Sequence, residues 1–103
     1  MLKKGYNMYK ASKLIKILLE YEENHHQENI RTVSSIKITG DFFLYPEDSL
    51  EYLEMQLRGT WLEKAKLKKK IDECLSNAEP YGFDSESLSD AIMGCLNNQE
   101  QAS

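Results

Sequence analysis

Across residues 13–23 Ile15, Ile17, Leu19 and Tyr21 fall at every second position, with Lys16, Glu20 and Glu22 on the other face. Successive side chains of an extended strand point to opposite faces, so this period predicts a strand with one buried face. The alternation resumes over 30–39, where Ser35 and Lys37 flank Ile36 and Ile38. The polar stretch 24–29 between the two runs reads as a turn, which makes them an antiparallel hairpin. Residues 1–12, mixed and rich in Lys and Tyr, receive no element. Gly40-Asp41 then punctuates the chain, and the bulky run Phe42-Phe43-Leu44-Tyr45 reads as a short third strand or a bend.

Helical spacing takes over at Pro46. Proline suits a first helical turn, Glu47 and Asp48 complement the positive end of the helix dipole, and Leu50, Leu53 and Leu57 recur until Arg58-Gly59. These features predict a helix over 46–58. Thr60 and Glu63 have capping-box spacing, and Leu67, Ile71, Cys74, Leu75 and Ala78 form an apolar stripe that stops before Pro80, predicting a helix over 61–78. After a loop at 79–83, Asp84 or Ser85 is placed to cap a third helix. Its Leu88, Ala91, Ile92, Cys95 and Leu96 follow the i, i+3, i+4, i+7, i+8 pattern and it ends near Asn97, leaving 98–103 as a frayed tail. The order predicts an α+β fold in which a small antiparallel sheet of two or three strands packs against about three helices.

The 103 residues, 41% of them hydrophobic, allow a single domain over 1–103. A chain of this size buries only ~60–70% of its unfolded surface, so reliance on a partner is physically reasonable. Thirteen Lys and Arg against seventeen Asp and Glu leave a net charge of -4, which weighs against nucleic acid as a partner. The apolar run 14–19 is short and broken by Lys16, unlike a signal peptide, and nothing approaches the ~20 apolar residues of a membrane span. A cytoplasmic protein without membrane association is expected. Cys74 and Cys95 fall on apolar helix faces and read as reduced core thiols. The adjacent His25 and His26 lack metal-ligand spacing, and no Ser-His-Asp or Cys-His arrangement or phosphate-cradling Gly-rich loop is present, so neither metal-binding nor catalytic residues are expected.

One segment is more specific. Ile36-Lys37-Ile38-Thr39-Gly40-Asp41-Phe42-Phe43-Leu44-Tyr45-Pro46-Glu47-Asp48, with Leu50, Leu53, Leu57 and Gly59 behind it, resembles the C-terminal accessory domain of lipoate-protein ligases. There too a strand ends in Gly-Asp-Phe-Phe, Pro-Glu opens a helix, and a Leu-rich helix closes on Gly. Upstream, Tyr9-Lys10-Ala11-Ser12-Lys13-Leu14 resembles the Gly-Lys-Leu opening the domain's first strand, with Ser12 where Gly is expected. The likeness runs over about 9–97 and is concentrated in 36–59. It implies the stand-alone small subunit of a two-chain ligase, and the length and the starting Met1 fit such a chain. By the same resemblance, a separate catalytic subunit is the heterodimer partner and lipoyl-domain proteins are the acceptors. ATP, magnesium and lipoate are then used by the assembled ligase, with none bound by this chain alone.

The candidate contacts with the partner or the adenylate are Lys13, Gly40, Asp41, Phe42 and Phe43. Gly40-Asp41 reads either as a turn held against the catalytic subunit or as a plain strand-ending turn. Phe42 and Phe43 are neighbours on an extended segment and point to opposite faces, so one belongs to the core and the other is available to an interface. Lys13, and more weakly Lys10, reads either as a phosphate contact or as a strand-edge lysine that discourages edge pairing. The sheet edge or the arm from Gly40 to Tyr45 is the expected docking element. Lys64, Lys66, Lys68, Lys69 and Lys70 spread over more than one helix face and read as solvated surface. The rival reading uses them as a docking helix of a non-enzymatic interaction or scaffold module.

Overall fold

A computed structural model of the chain describes residues 2–24 and 30–97. The His25-His26 pair and the 98–103 tail lie outside the described residues. The two runs of alternating residues form β2 (Leu14–Asn24) and β3 (Ile30–Gly40), paired antiparallel with Ile17 opposite Ile38 and Leu19 opposite Ile36. The register shifts after Glu20, so that Tyr21 faces Val33 and Ser34 is skipped. That bulge restores the inward phase: Val33 and Ile36 are three residues apart, yet both are buried. β2 contributes Ile15, Ile17, Leu19 and Tyr21, each at most 1% exposed, to the centre of the core.

A strand absent from the sequence reading completes the sheet. The mixed residues 1–12 give no periodic signal, but β1 (Leu2–Lys10) pairs antiparallel with β2 along its whole length, giving the order β1-β2-β3. Its apolar pattern is inverted. Leu2, Tyr6 and Met8 point to the outer face, while the buried position is Gly5. Glycine is needed there because an added Cβ would run into the backbone carbonyl of Cys95, at the end of the third helix. The close approach of helix to strand therefore replaces a core side chain, and the hydrophobic period gives no sign of it.

Of the helices, α1 (Ser49–Leu57) begins three residues later than Pro46 suggested. Pro46 follows a cis peptide bond and sits in a turn, where its carbonyl accepts the Ser49 N–H at 2.9 Å. α2 (Lys64–Leu75) is shorter at both ends than the predicted 61–78, and the Thr60–Glu63 capping box does not form. Residues 59–62 run beside β3 instead. Gly59 N–H donates to the Val33 carbonyl, Val33 N–H to the Thr60 carbonyl, and Leu62 N–H to the Arg31 carbonyl, at 2.7, 2.9 and 2.8 Å. Backbone pairing to a strand edge has here outcompeted the local side-chain cap. α3 (Ser85–Gly94) is capped by Asp84, whose carboxylate accepts the Ser87 N–H at 2.7 Å while the Ser87 hydroxyl accepts the Asp84 N–H at 3.0 Å. Those bonds hold the Asp84 carboxyl below its ordinary range.

Leu53 and Leu57 of α1, Leu67 and Ile71 of α2, and Leu88, Ala91, Ile92 and Cys95 at the third helix close over the inner face of the sheet. Burial pushes the Cys95 thiol up to about 12, so it is a neutral core group. Cys74 is half-buried. Among the described residues, no helix is long and apolar enough to cross a membrane.

Candidate functional site: an aromatic ribbon at one corner of the sheet

The predicted loop 79–83 contains a further strand. β4 (Phe43–Tyr45) and β5 (Glu79–Tyr81) form a two-stranded ribbon with Phe43 opposite Tyr81, Leu44 opposite Pro80 and Tyr45 opposite Glu79. Period-two alternation sends Leu44 inward, where it is 8% exposed. Phe43, Tyr45 and Tyr81 point outward and remain 64%, 48% and 53% exposed. The three rings touch: Phe43 stacks on Tyr45 with centroids 6.4 Å apart, and Tyr45 meets Tyr81 edge-on at 6.0 Å. The Tyr81 hydroxyl donates to the Glu79 carboxylate at 2.9 Å, which raises the phenol above its ordinary range. One carboxylate thus sits among the rings.

The ribbon is fixed by three turns that meet at its base. Asp41 N–H donates to the Leu14 carbonyl at 3.0 Å, and Lys13 N–H donates to the Gly82 carbonyl at 3.2 Å. Gly40 and Gly82 have φ of 151° and 96°, where side chains are disfavoured. A Cβ on Gly40 would strike the Leu14 carbonyl, and one on Gly82 would strike the stem of Lys13. Lys13, Gly40, Asp41 and Phe42 therefore share one corner. Phe42 and Phe43 separate as the strand period requires. Phe42 packs against the core and meets Phe83 edge-on at 4.9 Å, whereas Phe43 is the most exposed ring of the ribbon.

Sequence reasoning missed Tyr81, and gave Tyr45 only as part of the run. A three-residue strand centred on Pro80 is a weak signal, because proline cannot donate to a ladder. The β3 edge beside this corner is occupied by the chain itself: Ile38 N–H donates to the Glu54 carboxylate at 2.7 Å, and 59–62 cover the earlier residues. Of the two docking elements expected, the ribbon is the one that offers a contiguous aromatic surface. Patches of this composition are enriched at the centres of protein interfaces.

No family model matches the chain. The chain is similar in structure to one from an archaeal lipoylation system of Thermoplasma acidophilum, solved as a bi-partite lipoate protein ligase and its E2 lipoyl domain. The TM-score is 0.73, with 29% identity over 89% of this chain and 97% of that one. Among curated proteins it is similar to lipoate-protein ligase A subunit 2 of the same organism, at 42% identity over 57 residues. That match spans about half of each protein, 54% of this chain and 53% of the relative. The resemblance carried by residues 36–59 is likewise to a lipoate-protein ligase.

Proposed function

We propose that this chain is the accessory subunit of a two-chain lipoate-protein ligase, required with a separate catalytic subunit for ATP-dependent conversion of lipoate to lipoyl-adenylate and for lipoylation of acceptor domains. The observation that supports this best is the likeness to the bi-partite ligase system, which extends over nearly all of both chains. In this reading the chain contributes no catalytic residue. ATP, magnesium and lipoate are handled by the assembled ligase.

The aromatic face of β4 and β5 docks on the catalytic subunit, with Phe43 as its anchor and Lys13, Gly40 and Asp41 at its margin. An acyl-adenylate is a mixed anhydride that water hydrolyses, so a module closing over the pocket protects the intermediate and fixes the geometry of its formation. The action is one of positioning. The backbone bonds from Asp41 to Leu14 and from Lys13 to Gly82 tie the base of the ribbon to the sheet, which limits the ordering cost of docking.

This reading is tested first on the isolated chain. Calorimetric titration with ATP or with lipoate is expected to give no binding heat, whereas titration with the catalytic subunit gives a saturable complex. Micromolar binding of either small ligand by this chain alone contradicts the proposal.

A further inference from the structure

The structure sorts the five lysines of residues 64–70 into two groups. Lys64 bridges Glu86 and Asp90 of α3 at 2.7 and 3.0 Å, and Lys68 pairs with Asp72 at 3.2 Å. Lys66, Lys69 and Lys70 instead line a cleft of about 420 Å³ together with Arg58, Trp61 and Glu73, between the end of α1 and α2. Four cations less one carboxylate give its wall a formal charge of +3, on a chain whose net charge is -4. Among the described residues none of these four cations has an ion pair.

The arrangement is unfavourable for the chain on its own. Lys66 stands three residues from Lys69 and four from Lys70, the spacings at which like charges on a helix repel, and Glu73, four from Lys69 and three from Lys70, offsets only part of that repulsion. Arg58 is held at the rim by donating its Nε–H to the Ser34 carbonyl at 3.2 Å. Lys66 lies over the Trp61 ring at 5.1 Å, and that ring stays 42% exposed. A guanidinium bonded to the Ser34 carbonyl, three ammonium groups without an ion pair among the described residues and an accessible indole suit a ligand that brings carboxylates and an apolar side chain together.

We propose that this cleft receives a short acidic segment of a partner protein, with its carboxylates on Arg58, Lys66, Lys69 and Lys70 and an apolar side chain against Trp61. Charge complementarity selects the occupant: the cleft is a local positive site on an acidic molecule, so a short anionic segment gains there what a long polyanion loses against the rest of the surface. A nucleic acid strand needs a continuous basic track for its phosphates, and the net charge opposes one. The inference is independent of the accessory-subunit reading. The ribbon leads into the N-terminal end of α1 and the cleft lies at its C-terminal end, roughly 13 Å along a nine-residue helix.

The test uses the whole chain and a labelled octapeptide, Glu-Glu-Glu-Leu-Leu-Glu-Glu-Glu, followed by fluorescence anisotropy at low ionic strength beside an eight-nucleotide oligo-dT. The peptide is expected to bind more tightly than the oligonucleotide and to weaken as salt rises. The double variant K69E/K70E should weaken it by roughly tenfold or more, K69Q/K70Q by less, and W61A at unchanged net charge should weaken it too. The pair K16E/K37E, on the exposed face of the sheet, changes net charge equally and should leave binding much closer to wild type. Lys16, Lys37 and Lys69 are exposed and Lys70 is half-buried, and thermal melts verify folding of both charge-reversal pairs. Absence of peptide binding at low salt, equal loss in K16E/K37E and K69E/K70E, or tighter binding of the oligonucleotide would overturn the proposal.

Discussion

Replacing Phe43 by Ala is expected to leave this domain folded while weakening its complex with the catalytic subunit by ~2 kcal/mol or more, the scale of an interface hot spot and about thirtyfold in affinity. Phe43 is 64% exposed, and within the ribbon its ring touches Tyr45, so little of the fold depends on it. Its neighbour should behave in the opposite way. Phe42 packs on the core and against Phe83, so Phe42→Ala should cost ~3 kcal/mol of stability, near the low end for a core Phe because the ring is only half-buried. A domain of this size has little stability to spare. Thermal melts and pull-downs on the two variants measure the separation. If both lower the melting temperature and neither changes partner affinity, the docking role of the ribbon is wrong.

Gly40→Ala should produce both losses together. At φ 151° a Cβ is strained, and it points at the Leu14 carbonyl, a backbone atom of the central strand that has no way to yield. The conformational strain alone costs ~1–3 kcal/mol, and the clash removes the Asp41 N–H bond to the same carbonyl, so a total of ~3 kcal/mol or more is expected. Because that bond aims the ribbon, affinity for the catalytic subunit should fall even in the fraction that remains folded. Gly59→Ala is the control. Its φ is also positive, at 83°, but a Cβ there meets nothing within 4 Å, so the cost should be ~1 kcal/mol with partner affinity unchanged. Denaturant melts of the two variants should differ, and equal midpoints would show that the contact with Leu14 does not matter.

The legible parts of this fold are those in which side-chain periodicity and burial coincide. β2, the inner positions of β3 and the α3 stripe satisfy that condition, and Asp84 capped its helix as its position implied. The opposite fates of Phe42 and Phe43 also followed from the strand period. β1 stayed hidden because its inward position is a glycine packed under a helix end and its bulky residues face out. The start of α2 was misplaced because 60–62 pair with the β3 edge, a long-range interaction that a local capping motif does not register. The ribbon face was only half visible. Residues 42–45 read as a short strand or a bend, but the strand's partner consists of three residues around Pro80, and Tyr81 joins Phe43 through pairing across 38 positions of sequence. The basic cleft was likewise invisible as a run of lysines, since only the structure distinguishes Lys64 and Lys68, engaged by acids, from Lys66, Lys69 and Lys70.

If this chain completes a ligase whose catalytic groups lie elsewhere, neither chain should lipoylate an acceptor without the other. Mass spectrometry of an acceptor lipoyl domain incubated with ATP, magnesium and lipoate measures this, with the catalytic subunit alone, this chain alone, and the two together. Lipoylated acceptor is expected only in the complete mixture, with a strongly reduced yield when F43A replaces the wild-type chain. Equal modification by the catalytic subunit in the absence of this chain, or any modification by this chain on its own, would contradict it.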